Sequence, residues 1–181
     1  MGKFLFGLIL GLIFFPAGLL WYFLSGRAPV ATASPPLPME RHLAMLALHA
    51  AARREAPQSV PLKNDEATLV AGAQVYRGNC AVCHGLPGRP ATPIAQGMFP
   101  RPPQLFEPKE MVTDDPPGET FWKAKNGIRL TGMPGFHASL SDEQLWQVSL
   151  LLAGADKLPA SVQQELTPHS SAPTAKPDQA R

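Results

Sequence analysis

Cys80-Ala81-Val82-Cys83-His84 is the stretch on which the reading of this chain turns. It has the C-x-x-C-H spacing of covalent c-type haem attachment. Two thiols three positions apart at a helix end reach the two vinyl groups of one porphyrin. The adjacent imidazole then falls beneath the ring and ligates iron from the proximal side. Two rival chemistries draw on the same residue types. A dithiol redox pair wants a strand–helix–strand setting, and no strand alternation occurs in the sequence. A zinc site needs a fourth ligand beyond Cys80, Cys83 and His84, for which His137 could be offered. Only two cysteines are present, so a disulfide framework is excluded.

Upstream of the motif, Asn64 or Asp65 can cap a helix that carries Leu69, Gly72, Ala73 and Tyr76 on one face. Two small residues between larger ones admit a close helix crossing. Downstream, residues 86–117 hold nine prolines, which predicts irregular backbone. A short helix over about 118–126 is closed by Asn126-Gly127. Ser141-Asp142-Glu143-Gln144 is a capping box, Leu140 and Leu145 can form its staple, and Gly154 stands at the far end. Phe99, Leu105, Phe106, Phe121, Trp122, Ile128, Leu130, Phe136 and Trp146 are the expected pocket and core set.

A second iron ligand would come from Met98, Met111, Met133 or His137. Met133 is favoured. It lies in Leu130-Thr131-Gly132-Met133-Pro134-Gly135-Phe136, where two glycines allow close approach to a flat ligand and the proline stiffens the loop. Met98 is the runner-up, yet it stands only fourteen residues beyond His84, little length to reach the opposite face. Arg101 is placed to meet a haem propionate through its bidentate fork, and Trp122 could donate its indole N–H to the same group.

The ends read differently. Phe4 to Leu24 is an uncharged run of 21 residues, about 30 Å as a helix, with Trp21 and Tyr22 at its interfacial end and Arg27 beyond. Residues 1–27 therefore read as a transmembrane anchor, because a cleaved signal peptide with Ala31-Thr32-Ala33 as its site would carry a shorter apolar core. Residues 28–64 are a proline-rich linker plus a short helix with a modest stripe of Met39, Leu43, Leu46 and Ala50. Residues 156–181 are polar, proline-bearing and short of core formers, and are expected to be disordered. The net charge is +2 with no Lys/Arg block, so a nucleic-acid partner is not indicated.

The order of capped helix, CAVCHG, proline-rich loop, short helix with NGI, TGMPGF and then LSDEQLWQVSLLLAG resembles a class I c-type cytochrome, most closely the small monohaem, membrane-anchored bacterial kind. The resemblance covers residues 65–155. It implies an all-α cytochrome c fold around one covalently bound haem c, preceded by the transmembrane helix, with Gly72, Ala73 and Tyr76 meeting Leu145, Val148 and Ser149 where the terminal helices cross. It also implies thioether bonds at Cys80 and Cys83, proximal ligation by His84 and distal ligation by Met133. Thioether attachment in such proteins takes place outside the inner membrane, which implies a cytoplasmic N-terminus and a periplasmic haem domain.

Two protein ligands leave iron no open position, and no acid–base pair, nucleophile elbow or phosphate loop is present, so an electron carrier is expected rather than an enzyme. It would pass single electrons between redox proteins of a membrane-associated chain. The alternatives are a fixed haem subunit of a larger membrane oxidoreductase complex and, behind it, a haem-based ligand sensor. Over residues 65–155, seven Lys+Arg stand against nine Asp+Glu, which favours a basic or uncharged partner patch.

Overall fold

The computed structural model describes residues 1–167, and helix is the regular structure throughout them. The chain divides into two units, Met1–Leu43 and Ala44–Arg181.

In the first unit, α1 (Gly2–Leu24) runs for 23 residues with none buried, through Pro16 without a break. At about 1.5 Å per residue it spans roughly 34 Å, long and apolar enough to cross a bilayer. Ser25 closes it: its N–H donates to the Trp21 carbonyl at 2.8 Å and its hydroxyl to that of Tyr22 at 2.7 Å. The Arg27 guanidinium lies 5.0 Å from the centre of the Trp21 ring. Helix α2 (Glu40–Glu55) begins in this unit and continues into the second.

The second unit is built on α3 (Glu66–Asn79), α6 (Pro117–Asn126) and α7 (Asp142–Ala153), with α4 (Ala81–His84) and α5 (Pro93–Gln96) as single turns and α8 (Ala160–Leu166) at the end. Asp65 is the α3 cap, its carboxylate accepting the Thr68 N–H at 2.9 Å. On α7 both halves of the Ser141–Gln144 capping box are formed, and Leu140 packs against the cluster that contains Leu145.

Helices α3 and α7 cross closely at Gly72. A Cβ there would stand 2.8 Å from the Gln147 carbonyl carbon and closer still to its oxygen, so only glycine fits. At Gly72 the contact is with Gln147 and Leu151. Leu69, Ala73, Val75 and Tyr76 join Val148, Leu150, Leu151 and Leu152 in one core, while Leu145 belongs to a second cluster with Phe121 and Trp146. The Phe121 and Trp146 rings stack with centroids 4.3 Å apart.

Two expectations are corrected here. Residues 156–167 are not disordered: α8 buries Val162 and Leu166 in the main core, and Arg77 Nη1 donates to both the Glu165 carbonyl and its carboxylate at 2.9 Å. The remainder of that expected tail, 168–181, lies outside the described residues. Leu130 is not a core residue; it is 93% exposed at a left-handed φ of 60°, and Phe99 is also exposed. Met39, just before α2, and Leu43, Leu46 and Ala50 on it are exposed, and the helix buries Ala52, with Ala56 just beyond.

Candidate functional site

Helix α3 ends where the motif begins. The Cys80 N–H donates to the Tyr76 carbonyl at 2.8 Å, and the single turn α4 then carries Ala81, Val82, Cys83 and His84. Tyr76, fully buried, donates its hydroxyl to the Gly85 carbonyl at 2.8 Å, with the His84 carbonyl at 3.1 Å. Residues inside the proline-rich loop return along this turn. Leu105 N–H donates to the His84 carbonyl at 3.2 Å, and the buried Gln104 sends its Nε2 to the carbonyls of Cys83 at 3.1 Å and Pro102 at 3.2 Å. Nothing in a lone glutamine within a proline-rich run signals such a buried strut. Thr92, also without a sequence signal, caps α5 and donates its hydroxyl to the Val82 carbonyl at 2.6 Å.

His84 Nδ1 lies 2.8 Å from the Pro103 carbonyl oxygen. A carbonyl only accepts, so Nδ1 carries the proton and Nε2 keeps the free lone pair that a metal requires. Burial holds the His84 pKa below its ordinary value, which favours the neutral ring. Cys80 and Cys83 are free thiols, half-buried on the same turn. Burial first, and then neighbouring Cys83, push the Cys80 pKa up to about 12. This donor set fits a covalently held haem: two thiols for the vinyl groups, and an oriented imidazole presenting Nε2. His137 is exposed, with Nδ1 3.2 Å from the Lys125 carbonyl. Among the described residues no three of His, Cys, Asp and Glu converge to hold a metal ion, so His137 does not complete a zinc set.

Met133 is half-buried in a loop closed at its neck by glycines. Gly127, at φ 70°, backs onto Gly135 so tightly that a Cβ there would lie 2.5 Å from the Gly135 nitrogen. Inside the loop the Ile128 N–H donates to the Met133 carbonyl at 3.2 Å, and the Met133 N–H donates to Thr131 Oγ1 at 3.1 Å. Met98 was expected to lack the reach for this side. The structure nonetheless seats its terminal methyl against Gly132, with the single turn α5 just before it in the chain. Both thioethers thus come to one loop.

The two expected propionate partners have different surroundings. Arg101 is exposed. Trp122 gives its indole N–H to Glu55 at 3.2 Å, fastening α6 to α2, so that donor is engaged elsewhere. Arg54, and then this indole, hold the Glu55 carboxyl below its usual range.

Residues 67–150 match the family model described as cytochrome c oxidase, cbb3-type, subunit III. This segment is a class I c-type cytochrome domain. A cytochrome c domain is an electron-transfer haem protein by type, and its cofactor, haem c, supplies a one-electron iron couple when bound. Among solved structures the chain is similar to one from the Kuenenia stuttgartiensis reducing HAO-like protein complex, at 26% identity and a TM-score of 0.46. The similarity covers 54% of this chain and 47% of that one, so the chain spans about half the length of the structure it matches. No curated protein matches.

Proposed function

We propose that this protein is a membrane-tethered monohaem cytochrome c that passes single electrons between redox partners on the periplasmic side. In this reading Cys80 and Cys83 hold one haem c by thioether bonds, His84 is the proximal ligand and Met133 the distal one. Arg101 is a candidate for a propionate, being free of the role that Trp122 has taken with Glu55. The observation that carries the reading is the His84 imidazole, neutral and oriented by Pro103, on the same turn as two free thiols. With His and Met on iron, the reduced state is favoured and the potential is high, which suits delivery of electrons toward an oxidase. The domain spans are 1–27 for the anchor, 28–64 for the linker with α2, and 65–155 for the cytochrome, to which α8 is added.

A second reading has its own support. The matched family is described as a subunit of an oxidase, which favours a fixed haem subunit of a larger membrane complex. Oxidised and reduced absorption spectra of the purified full chain test the haem assignment. Sizing after detergent extraction from the native membrane separates the two roles. A monodisperse small species that still accepts electrons supports the shuttle, and a stoichiometric assembly supports the subunit.

A further inference from the structure

One peptide group joins the proximal histidine to a carboxylate. The carbonyl oxygen of the Pro103–Gln104 peptide accepts from His84 Nδ1 at 2.8 Å. The N–H of that same peptide donates to Glu110 Oε2 at 2.5 Å. Glu110 is brought there by the turn that follows, in which the Glu107 N–H donates to the Gln104 carbonyl and the Glu110 N–H to that of Glu107, both at 2.8 Å. Gln104 itself is 6% exposed and braced on Cys83 and Pro102, so the peptide is held in a fixed orientation.

We propose that Glu110 is a positioning residue that tunes the iron through this peptide, lowering the reduction potential of the His84-ligated haem. The inference rests on the cytochrome reading above. A carboxylate on the N–H side strengthens that hydrogen bond and polarises the amide, which makes its carbonyl a better acceptor. The Nδ1 proton is then drawn further from the imidazole, and the ring becomes a more basic ligand. A more basic ligand stabilises ferric iron over ferrous, so the potential falls. The carboxylate makes its contact with the Gln104 N–H and not with His84. Its effect travels through bonds already in place, so no conformational change is required.

Glu110→Gln keeps an oxygen acceptor for the Gln104 N–H but removes the charge. Glu107→Gln removes a charge from the same exposed turn, where no side-chain hydrogen bond to the peptide is seen, and measures the plain field effect. Glu110→Asp keeps the charge and draws it back from the N–H by one methylene. The experiment is a redox titration of the full-length haem-loaded protein in detergent, with its oxidised spectrum recorded alongside. Glu110→Gln is expected to favour the reduced state by about threefold, roughly 28 mV for a one-electron couple, with the ligation spectrum unchanged. Glu110→Asp should shift it in the same direction, and Glu107→Gln by less. Equal shifts for Glu110→Gln and Glu107→Gln, or a fall in potential, would overturn the proposal. A wild-type protein without a His/Met spectrum would overturn the underlying cytochrome reading instead, so the two failures are distinguishable.

Discussion

Leu166→Ala examines the least expected part of the fold, the docking of α8. The Leu166 side chain is 0% exposed and belongs to the core that α3 and α7 share. Truncation to alanine removes three carbons, a transfer loss of about 2.4 kcal/mol at about 0.8 kcal/mol each. The cavity adds to this, and measured leucine truncations cost about 2–5 kcal/mol in all. Helix α8 is a short terminal element that can settle inward, so a loss near the lower half, about 3 kcal/mol, is expected. For a domain of this size that corresponds to a fall in Tm of about 12 °C. The assay is thermal and denaturant unfolding of the haem-loaded full chain, followed by near-UV circular dichroism. Gln164→Ala, exposed on the same helix, is the control and should stay within about 0.5 kcal/mol of wild type. If Leu166→Ala behaves like Gln164→Ala, α8 is not packed against the core and the reasoning fails.

Cys80→Ala with Cys83→Ala should leave a chain from which all haem is removed by acid–organic extraction; haem retained by that variant would break the attachment assignment. Met133→His exchanges a soft thioether for imidazole and should lower the potential by a sizeable part of the roughly 0.8 V that axial ligation spans. An unchanged potential in a redox titration would count against Met133. Gly72→Ala puts a Cβ into the backbone at Gln147, which cannot rotate away, and should cost about 1–3 kcal/mol in denaturant unfolding despite alanine's better helix propensity. A stabilised variant would mean that α3 and α7 do not cross there.

The sequence was most informative where local chemistry decides local structure. The Asp65 cap and the Ser141 capping box depend on side-chain-to-backbone bonds within a few positions, the Asn126-Gly127 stop on a glycine at φ 70° whose N–H donates to the Lys123 carbonyl, and all three elements form. The spacing in Cys80–His84 likewise put thiols and imidazole on a single turn. What stayed hidden depends on distant partners. Helix α8 offers only Val162 and Leu166 as large apolar residues, too few for a periodic signal, and its place comes from the α3 surface it covers. A helical face is readable from periodicity, but the level at which a neighbour crosses it is not, and the meeting of Gly72 with Gln147 and Leu151 has no local signal. Apolarity points Leu130 to the core, and backbone at φ 60° carries it outward. The Trp122 partner, Glu55, lies 67 positions earlier in the chain, beyond any local pattern. Met98 reaches the Met133 loop, which a count of intervening residues could not show.

Identity of the distal ligand is the point on which the account stands, since Met98 packs against the loop that carries Met133. The direct measurement is the methionine–iron charge-transfer band of the oxidised protein in three single variants, Met98→Leu, Met111→Leu and Met133→Leu. The account predicts that the band survives in the first two and disappears in the third, which should also bind added imidazole or, when reduced, carbon monoxide. A band lost in Met98→Leu and kept in Met133→Leu would move the ligand to Met98 and contradict the assignment.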